Sequence, residues 1–329
     1  MSVAISPTEE RPGRAGWITA LADYLGMGVA LAALIIVFSL LTQHFFSWTT
    51  FQTIANQIPS AILVAIGMTY ILVIAQIDLS VGSVLGLCSA VAGVALAQWH
   101  WPLWLALTAA GAAGAVCGLV NGVVSVHWRL PSFIVTLAML EMARGGAHFL
   151  TRSQTQYIGA RVEGIAGAAL LGLSLPFVMA LALVIAGQLV LARTIFGRYM
   201  IAIGTNEEAV RLSGIDPRPV KVTVFVLTGL LVALAAIVDT SRFQSANPNA
   251  GTGFELQAIA AVVIGGTSLM GGRGSVISSF FGVLIIAVLN SGLASVGAKD
   301  ETKRLITGLV ILAAVVVDHY RSRVGRGRG

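Results

Sequence analysis

The sequence predicts an all-α polytopic membrane protein of about ten transmembrane helices, with one short helix lying outside the bilayer. Three observations carry this. Hydrophobic residues make up 57% of the chain and charged residues only 10%, against roughly 25% charged in a soluble domain. The mean hydropathy is +0.89, and the apolar runs are continuous rather than alternating, which excludes a transmembrane β-barrel. Glycine is abundant, with 37 residues, as expected where spanning helices pack through small side chains. Ten spans of about 20 residues leave short connectors and no room for a soluble enzyme domain.

Taken in order, residues 1–25 form a polar N-terminal tail, and residues 26–318 form the transmembrane domain. The first long apolar run starts far in and lacks a small-residue cleavage site, so it reads as a retained span rather than a signal peptide. Spans are expected at 26–41, 59–75, 84–97, 103–126, 132–149, 170–192, 222–238, 256–269, 275–289 and 305–317. The last three are short, so counts of nine or eight stay open. An uncharged aromatic connector, Thr42 to Gln52, suits an interfacial belt, as do Trp99, Trp101 and Trp104. The polar run Gln76 to Ser83 interrupts the apolar sequence before span three. A charged connector occupies 193–221, and a basic tail occupies 319–329.

Orientation follows from the basic residues. With ten spans and the N-terminus inside, the inside connectors hold 13 of the 20 Lys and Arg residues and the outside connectors 6. That bias places both termini in the cytoplasm. The net charge of +6 is explained by this asymmetry and does not imply nucleic-acid binding. Cys88 and Cys117 fall inside apolar runs and suggest no disulfide framework.

The connector's centre, Ile203 to Pro217, is polar, charged and helix-prone. Asn206 is a suitable N-cap, with Glu207 and Glu208 in the first turn, where the helix dipole favours anions. Gly214 is a suitable C-terminal stop, and Pro217 ends any continuation. The segment reads either as an ordinary hydrophilic loop or as a two- to three-turn helix on which a soluble partner can push. A weak internal echo pairs Val73-Ile74 before Gly82-Ser83-Val84 with Val263-Ile264 before Gly274-Ser275-Val276. Interrupted segments in matching positions point towards a transport pathway.

Charged residues within spans cost some kcal/mol each and face protein or water. Asp78 reads as an N-cap for span three, with Ser80 as the competing cap, or as part of a re-entrant bend lining the pathway. Glu141 and Arg144, and again Asp239 and Arg242, are three apart and are expected to pair on one helix face. Asn121, Thr136, Gln188 and Asn290 are expected to hydrogen-bond between helices. No catalytic constellation emerges. The five histidines lack metal-ligand spacing, no phosphate-binding Gly-x-x-x-x-Gly-Lys-Ser/Thr loop exists, and no cofactor is expected. Gly271-Gly-Arg-Gly-Ser275 is better explained as a tight turn than as an anion cradle.

Several stretches together resemble one family. Gly67-Met-Thr69 followed by Ile77-Asp-Leu-Ser-Val-Gly-Ser83, Gly118-Leu-Val-Asn-Gly122, Leu130-Pro-Ser-Phe-Ile-Val-Thr-Leu137 and Met142-Ala-Arg-Gly-Gly146 are similar to the permease subunits of ribose-, xylose- and arabinose-type ABC importers. So are Gly197-Arg-Tyr199, Ile203-Gly-Thr-Asn-Glu-Glu-Ala209, Ser213-Gly-Ile215 and Ile264 to Gly274. The resemblance spans about Phe51 to His319.

It implies a pair of lipid-embedded permeases forming the pore in the bacterial inner membrane, with two further components. These are an ATP-binding protein, usually a fused double domain, docked on cytoplasmic coupling helices, and a periplasmic or lipoprotein sugar-binding protein that delivers cargo. Gly204, Asn206, Glu207, Ala209, Gly214 and Ile215 fall on the family's coupling motif. Glu208 departs from it, since relatives often carry alanine nearby. The matching motifs also imply a translocation pathway at Asp78, Ser80, Asn121, Phe133 and Thr136. Two rivals share some features: a related ABC permease for branched-chain amino acids or nucleosides, and a secondary transporter using Asp78 or Glu141 as proton carrier.

Overall fold

The computed structural model describes residues 15–43, 45–167, 169–170, 172–299, 301–310 and 312–313. The tail 1–14, His44, the end of the expected tenth span at 314–317 and the basic tail 319–329 lie outside the described residues.

Helices dominate. In chain order they are α1 (Ala15–Leu41), α2 (Trp48–Gln57), α3 (Pro59–Val73), α4 (Val81–Ala97), α5 (Leu103–His127), α6 (Ser132–Thr151), α7 (Glu163–Gly167), α8 (Leu175–Arg193), α9 (Ile195–Leu212), α10 (Arg218–Phe243), α11 (Phe254–Ile264) and α12 (Val276–Ser295). Residues 301–310 are helical too. The chain is an all-α polytopic membrane protein. Among the described residues, α5, α6, α8, α10 and α12 are each long and apolar enough to cross a bilayer, and α2 with α3 forms a sixth such unit bent by 49°. Shorter apolar helices cover 25–41, α4 and α11.

The aromatic stretch expected as a connector is partly helical. Ser47 accepts the Thr50 amide at 3.2 Å and so caps α2, and Pro59 opens α3 at a position where its missing N–H costs nothing. Two small antiparallel pairings, Gln156–Tyr157 with Ser245–Ala246 and Ala169–Leu170 with Leu173–Ser174, interrupt the helical pattern.

Burial orders the bundle. Fourteen residues of α3 are buried, leaving this helix enclosed on all sides, and α4 is enclosed in the same way. By contrast α5 buries a narrow stripe, Ala106, Ala110, Gly114, Cys117, Gly118, Asn121, Gly122 and Ser125. That stripe lies on α10. A Cβ at Gly114 would strike the Gly229 carbonyl, and one at Gly118 would strike the Phe225 carbonyl. The glycine spacing of four therefore sets a close backbone approach, which supplies dispersion contacts where lipid offers no hydrophobic drive.

Polar side chains complete the packing. Thr69 donates to Ser279 at 2.8 Å, and Tyr70 donates to the Gly187 carbonyl at 2.8 Å. Gln188 accepts the Val276 amide at 2.8 Å, Asn290 meets Thr307 at 3.4 Å, and Ser89 meets Thr240 at 2.7 Å. The two arginines of the charge pairs expected from i,i+3 spacing take other partners. Arg144 donates through Nη1 to the carbonyls of Pro248 and Ala250 at 2.7 and 2.9 Å. Arg242 donates to the Gln57 carbonyl at 3.3 Å and lies over the Phe243 ring.

Candidate functional site

Two features share one end of the molecule. The first is the polar segment after α8. Thr194 accepts the Gly197 amide at 3.1 Å and starts α9. That helix is broken at Asn206, whose φ of −160° and ψ of 95° are not helical. Asn206 Oδ1 accepts the Ala209 amide at 3.0 Å, the N-cap bond that its short amide side chain favours. A new helical turn starts there, with Glu207 and Glu208 in the favourable first-turn positions. Its end is a complete Schellman motif. Gly214 sits at φ +82°, its amide donates to Arg211 at 3.0 Å, and the Ile215 amide donates back to Val210 at 3.3 Å. The result is a short helix bounded by a cap and a stop. Asn206, Glu207, Glu208, Ala209 and Gly214 are exposed, while Val210 is buried and Ile215 half-buried.

This helix is fastened to the bundle at its N-terminal end. Lys221, in the first turn of α10 with a side chain only 9% exposed, donates to Glu207 at 2.5 Å. Gly204, two residues before the cap, is buried against a second break. A Cβ there would strike the Val73 carbonyl and come within 2.5 Å of the Gly272 nitrogen. Gly271 and Gly272 have φ values of +84° and +73°, and the Ser268 amide donates to Arg273 across their turn at 3.0 Å. The glycine cluster is thus a tight turn between α11 and α12.

The second feature is the interruption between α3 and α4. The backbone leaves the helix at Ala75, with φ +56°, and residues 76–80 are non-helical. Their amides would be orphaned in a membrane interior, and side chains of α6 satisfy two of them. Ser132 accepts the Ile77 amide at 3.0 Å, and Thr136 accepts the Leu79 amide at 3.1 Å. Asp78 Oδ1 takes both the Ser80 amide at 2.8 Å and the Ser80 hydroxyl at 2.6 Å, and Asn121 donates to Ser80 Oγ at 3.0 Å.

Ser80 therefore occupies the cap position of α4 without capping it through its side chain. Asp78 instead folds back over its own bend. Asp78, Ser80, Asn121 and Thr136 form one buried network. Phe133 stands apart from it, 48% exposed. Asn121 Oδ1 and Ser125 Oγ are buried with no hydrogen-bond partner.

A cleft of about 920 Å³ lies between the two features. Gln76, Ile77, Ser125, Phe133, Glu207 and Lys221 are among the residues on its walls. The interrupted segment and the capped helix face one space.

Sequence reasoning missed several of these partners. Ser132 stands in a quoted motif, but nothing local says that it reaches Ile77. Lys221 reads as the end of a connector, and only its place at the head of an apolar run hints at a buried cation. The approach of Gly204 to Val73 and Gly272 has no local signal.

The family model described as branched-chain amino acid transport system / permease component matches residues 50–315. The ribose import permease protein RbsC of Bacillus subtilis (strain 168) is 40% identical over 305 residues, covering 91% of this chain and 93% of the relative. RbsC of Escherichia coli (strain K12) is 39% identical over 298 residues, covering 89% and 92%. The L-arabinose ABC transporter permease protein AraH of Azospirillum brasilense is 31% identical over 319 residues, covering 97% and 93%. No solved structure matches the chain significantly.

Proposed function

Because the chain belongs to the family of branched-chain amino acid transport system permease components, we propose that it is the permease subunit of an ABC importer for a monosaccharide, a pentose or hexose, in the bacterial inner membrane. The observation that carries this is near-full-length identity to permeases named for ribose and arabinose. Two copies form the pore. An ATP-binding partner, one fused double-domain chain, docks on the exposed Asn206–Ala209 turns, and a sugar-binding protein delivers cargo from the other side. Both termini are cytoplasmic, which puts the capped helix where ATP is.

The chain supplies no chemistry of its own to ATP. Its work is mechanical. Closure of the ATPase dimer displaces the short helix, and Gly204 carries the displacement to the ends of α3 and α11. The two permeases then rock between inward- and outward-facing forms. Asp78, Ser80, Asn121 and Thr136 keep the interrupted segment satisfied as it moves along the pathway, and Phe133 faces the open cleft.

The test is uptake into proteoliposomes holding this chain and its ATPase, with the delivery protein outside and ATP within. Concentrative uptake of labelled ribose or arabinose that needs all three proteins supports the proposal. Uptake of leucine and of no sugar would select the branched-chain amino acid reading instead.

A further inference from the structure

We propose that Glu141, Arg144 and Glu255 form a mid-membrane contact station for the hydroxyl groups of the transported sugar, an assignment that rests on the sugar-importer reading.

The station starts from a carboxylate in the wrong solvent. Glu141 lies nine residues into the 20-residue helix α6, roughly 14 Å from its start at 1.5 Å per residue. That is half the depth of a hydrocarbon core about 30 Å thick. Glu141 is exposed, and among the described residues it makes no side-chain hydrogen bond or ion pair within 4 Å. A carboxylate cannot face acyl chains at that depth without a cost of about 3 kcal/mol or more. The α6 stripe of Leu137, Glu141 and Gly145, all exposed, therefore faces water in a pathway.

Arg144 stands one turn on and is half-buried. Two carbonyls, those of Pro248 and Ala250, take its Nη1 group, and its other N–H groups have no acceptor among the described residues. Arg144 Nη1 lies against α4, where a Cβ on Gly86 would come within 3.1 Å of it. Glu255 is in the first turn of α11 and reaches the start of α4, where a Cβ on Gly82 would collide with its carboxylate. It too makes no hydrogen bond or ion pair among the described residues.

Two short helices, α4 and α11, thus begin beside one carboxylate, and Glu141 lies three residues before Arg144 on α6. Half-helix ends at mid-depth are where transporters hold cargo. The chemistry selects the cargo class. A sugar hydroxyl donates to a carboxylate and accepts from a guanidinium at the same time. Carboxylate acceptors and a guanidinium donor in one neighbourhood suit a neutral polyol, whose hydroxyls do both.

The experiment uses the assembled complex with its ATPase and delivery protein. Glu141→Gln and Glu255→Gln are each expected to slow labelled ribose uptake at least fivefold, with ATP hydrolysis retained. They should also narrow the difference between ribose and 2-deoxyribose, and Glu141→Asp should restore part of the rate. Unchanged uptake and unchanged sugar discrimination in both Gln variants would overturn the station. A wild-type complex that moves no sugar at all would overturn the importer reading itself. A second measurement covers variants that fail to assemble. Glu141→Cys in the wild-type background, whose Cys88 and Cys117 are buried, should react with a charged, membrane-impermeant thiol reagent and be protected by ribose. Reaction only with lipid-soluble reagents would place position 141 in the bilayer and sink the proposal.

Discussion

The Gly272 amide donates to the Val73 carbonyl at 2.9 Å, and this bond fastens the end of α3 to the turn between α11 and α12. Gly204 packs on the same spot with no room for a side chain. Three chain segments that are far apart in sequence therefore meet at backbone distance, just before the cap that starts the exposed helix.

Gly204→Ala should be more damaging than Gly214→Ala, though both change one glycine. At Gly204 the added methyl meets two backbone atoms, which cannot rotate away, and overpacking of this kind costs about 1–3 kcal/mol. At Gly214 a Cβ meets nothing within 4 Å, and the cost is about 1 kcal/mol for a left-handed alanine. Thermal unfolding in detergent should rank the two in that order, and ATP-driven uptake should be lost in Gly204→Ala. Equal melting temperatures would contradict the packing argument.

The short helix was legible from its ends because caps are local chemistry. An amide side chain at Asn206 and a glycine at Gly214 act on backbone groups three or four residues away. The long helices α5, α6, α8, α10 and α12 were legible from apolar length, and Gln188 and Asn290 from the cost of polar groups in lipid. What stayed hidden depends on distant partners. The Glu207–Lys221 pair crosses a turn, and Arg144 passes over the neighbouring Glu141 for two carbonyls of the loop before α11. Thr42 to Gln52 reads as an interfacial connector, yet a helix capped by Ser47 starts inside it at Trp48.

Asn206→Ala should loosen the first turn of the exposed helix, since losing such a cap costs about 1 kcal/mol. Asn206→Asp keeps an acceptor at the same place and should behave almost as wild type. Binding of the ATPase partner, measured by titration in nanodiscs, is expected to weaken several-fold in the alanine variant alone.

Lys221 and Glu207 should show a coupling of about 1 kcal/mol in a double-mutant cycle built from Lys221→Met and Glu207→Gln. Glu207 is 49% exposed, so solvent screening keeps the value well below that of a buried pair. The cycle is read from chemical denaturation, and a coupling of zero would mean that the ion pair does not hold the helix to α10.

Thr136→Val leaves the Leu79 amide without its acceptor in a buried place. An orphaned donor of this kind costs about 1–3 kcal/mol, while Thr136→Ser keeps the hydroxyl and should cost much less. Hydrogen exchange at residues 76–80 reports the difference directly: faster exchange is expected in the valine variant and near-native exchange in the serine variant.

The central claim is that the chain is a conduit moved from outside by its ATPase. The most direct measurement is accumulation of labelled ribose by proteoliposomes containing this chain alone, under an imposed proton or sodium gradient and again after ATPase and delivery protein are added with ATP. The account predicts no uphill movement in the first case and concentrative uptake in the second. Uphill accumulation by the isolated chain under an ion gradient would contradict it.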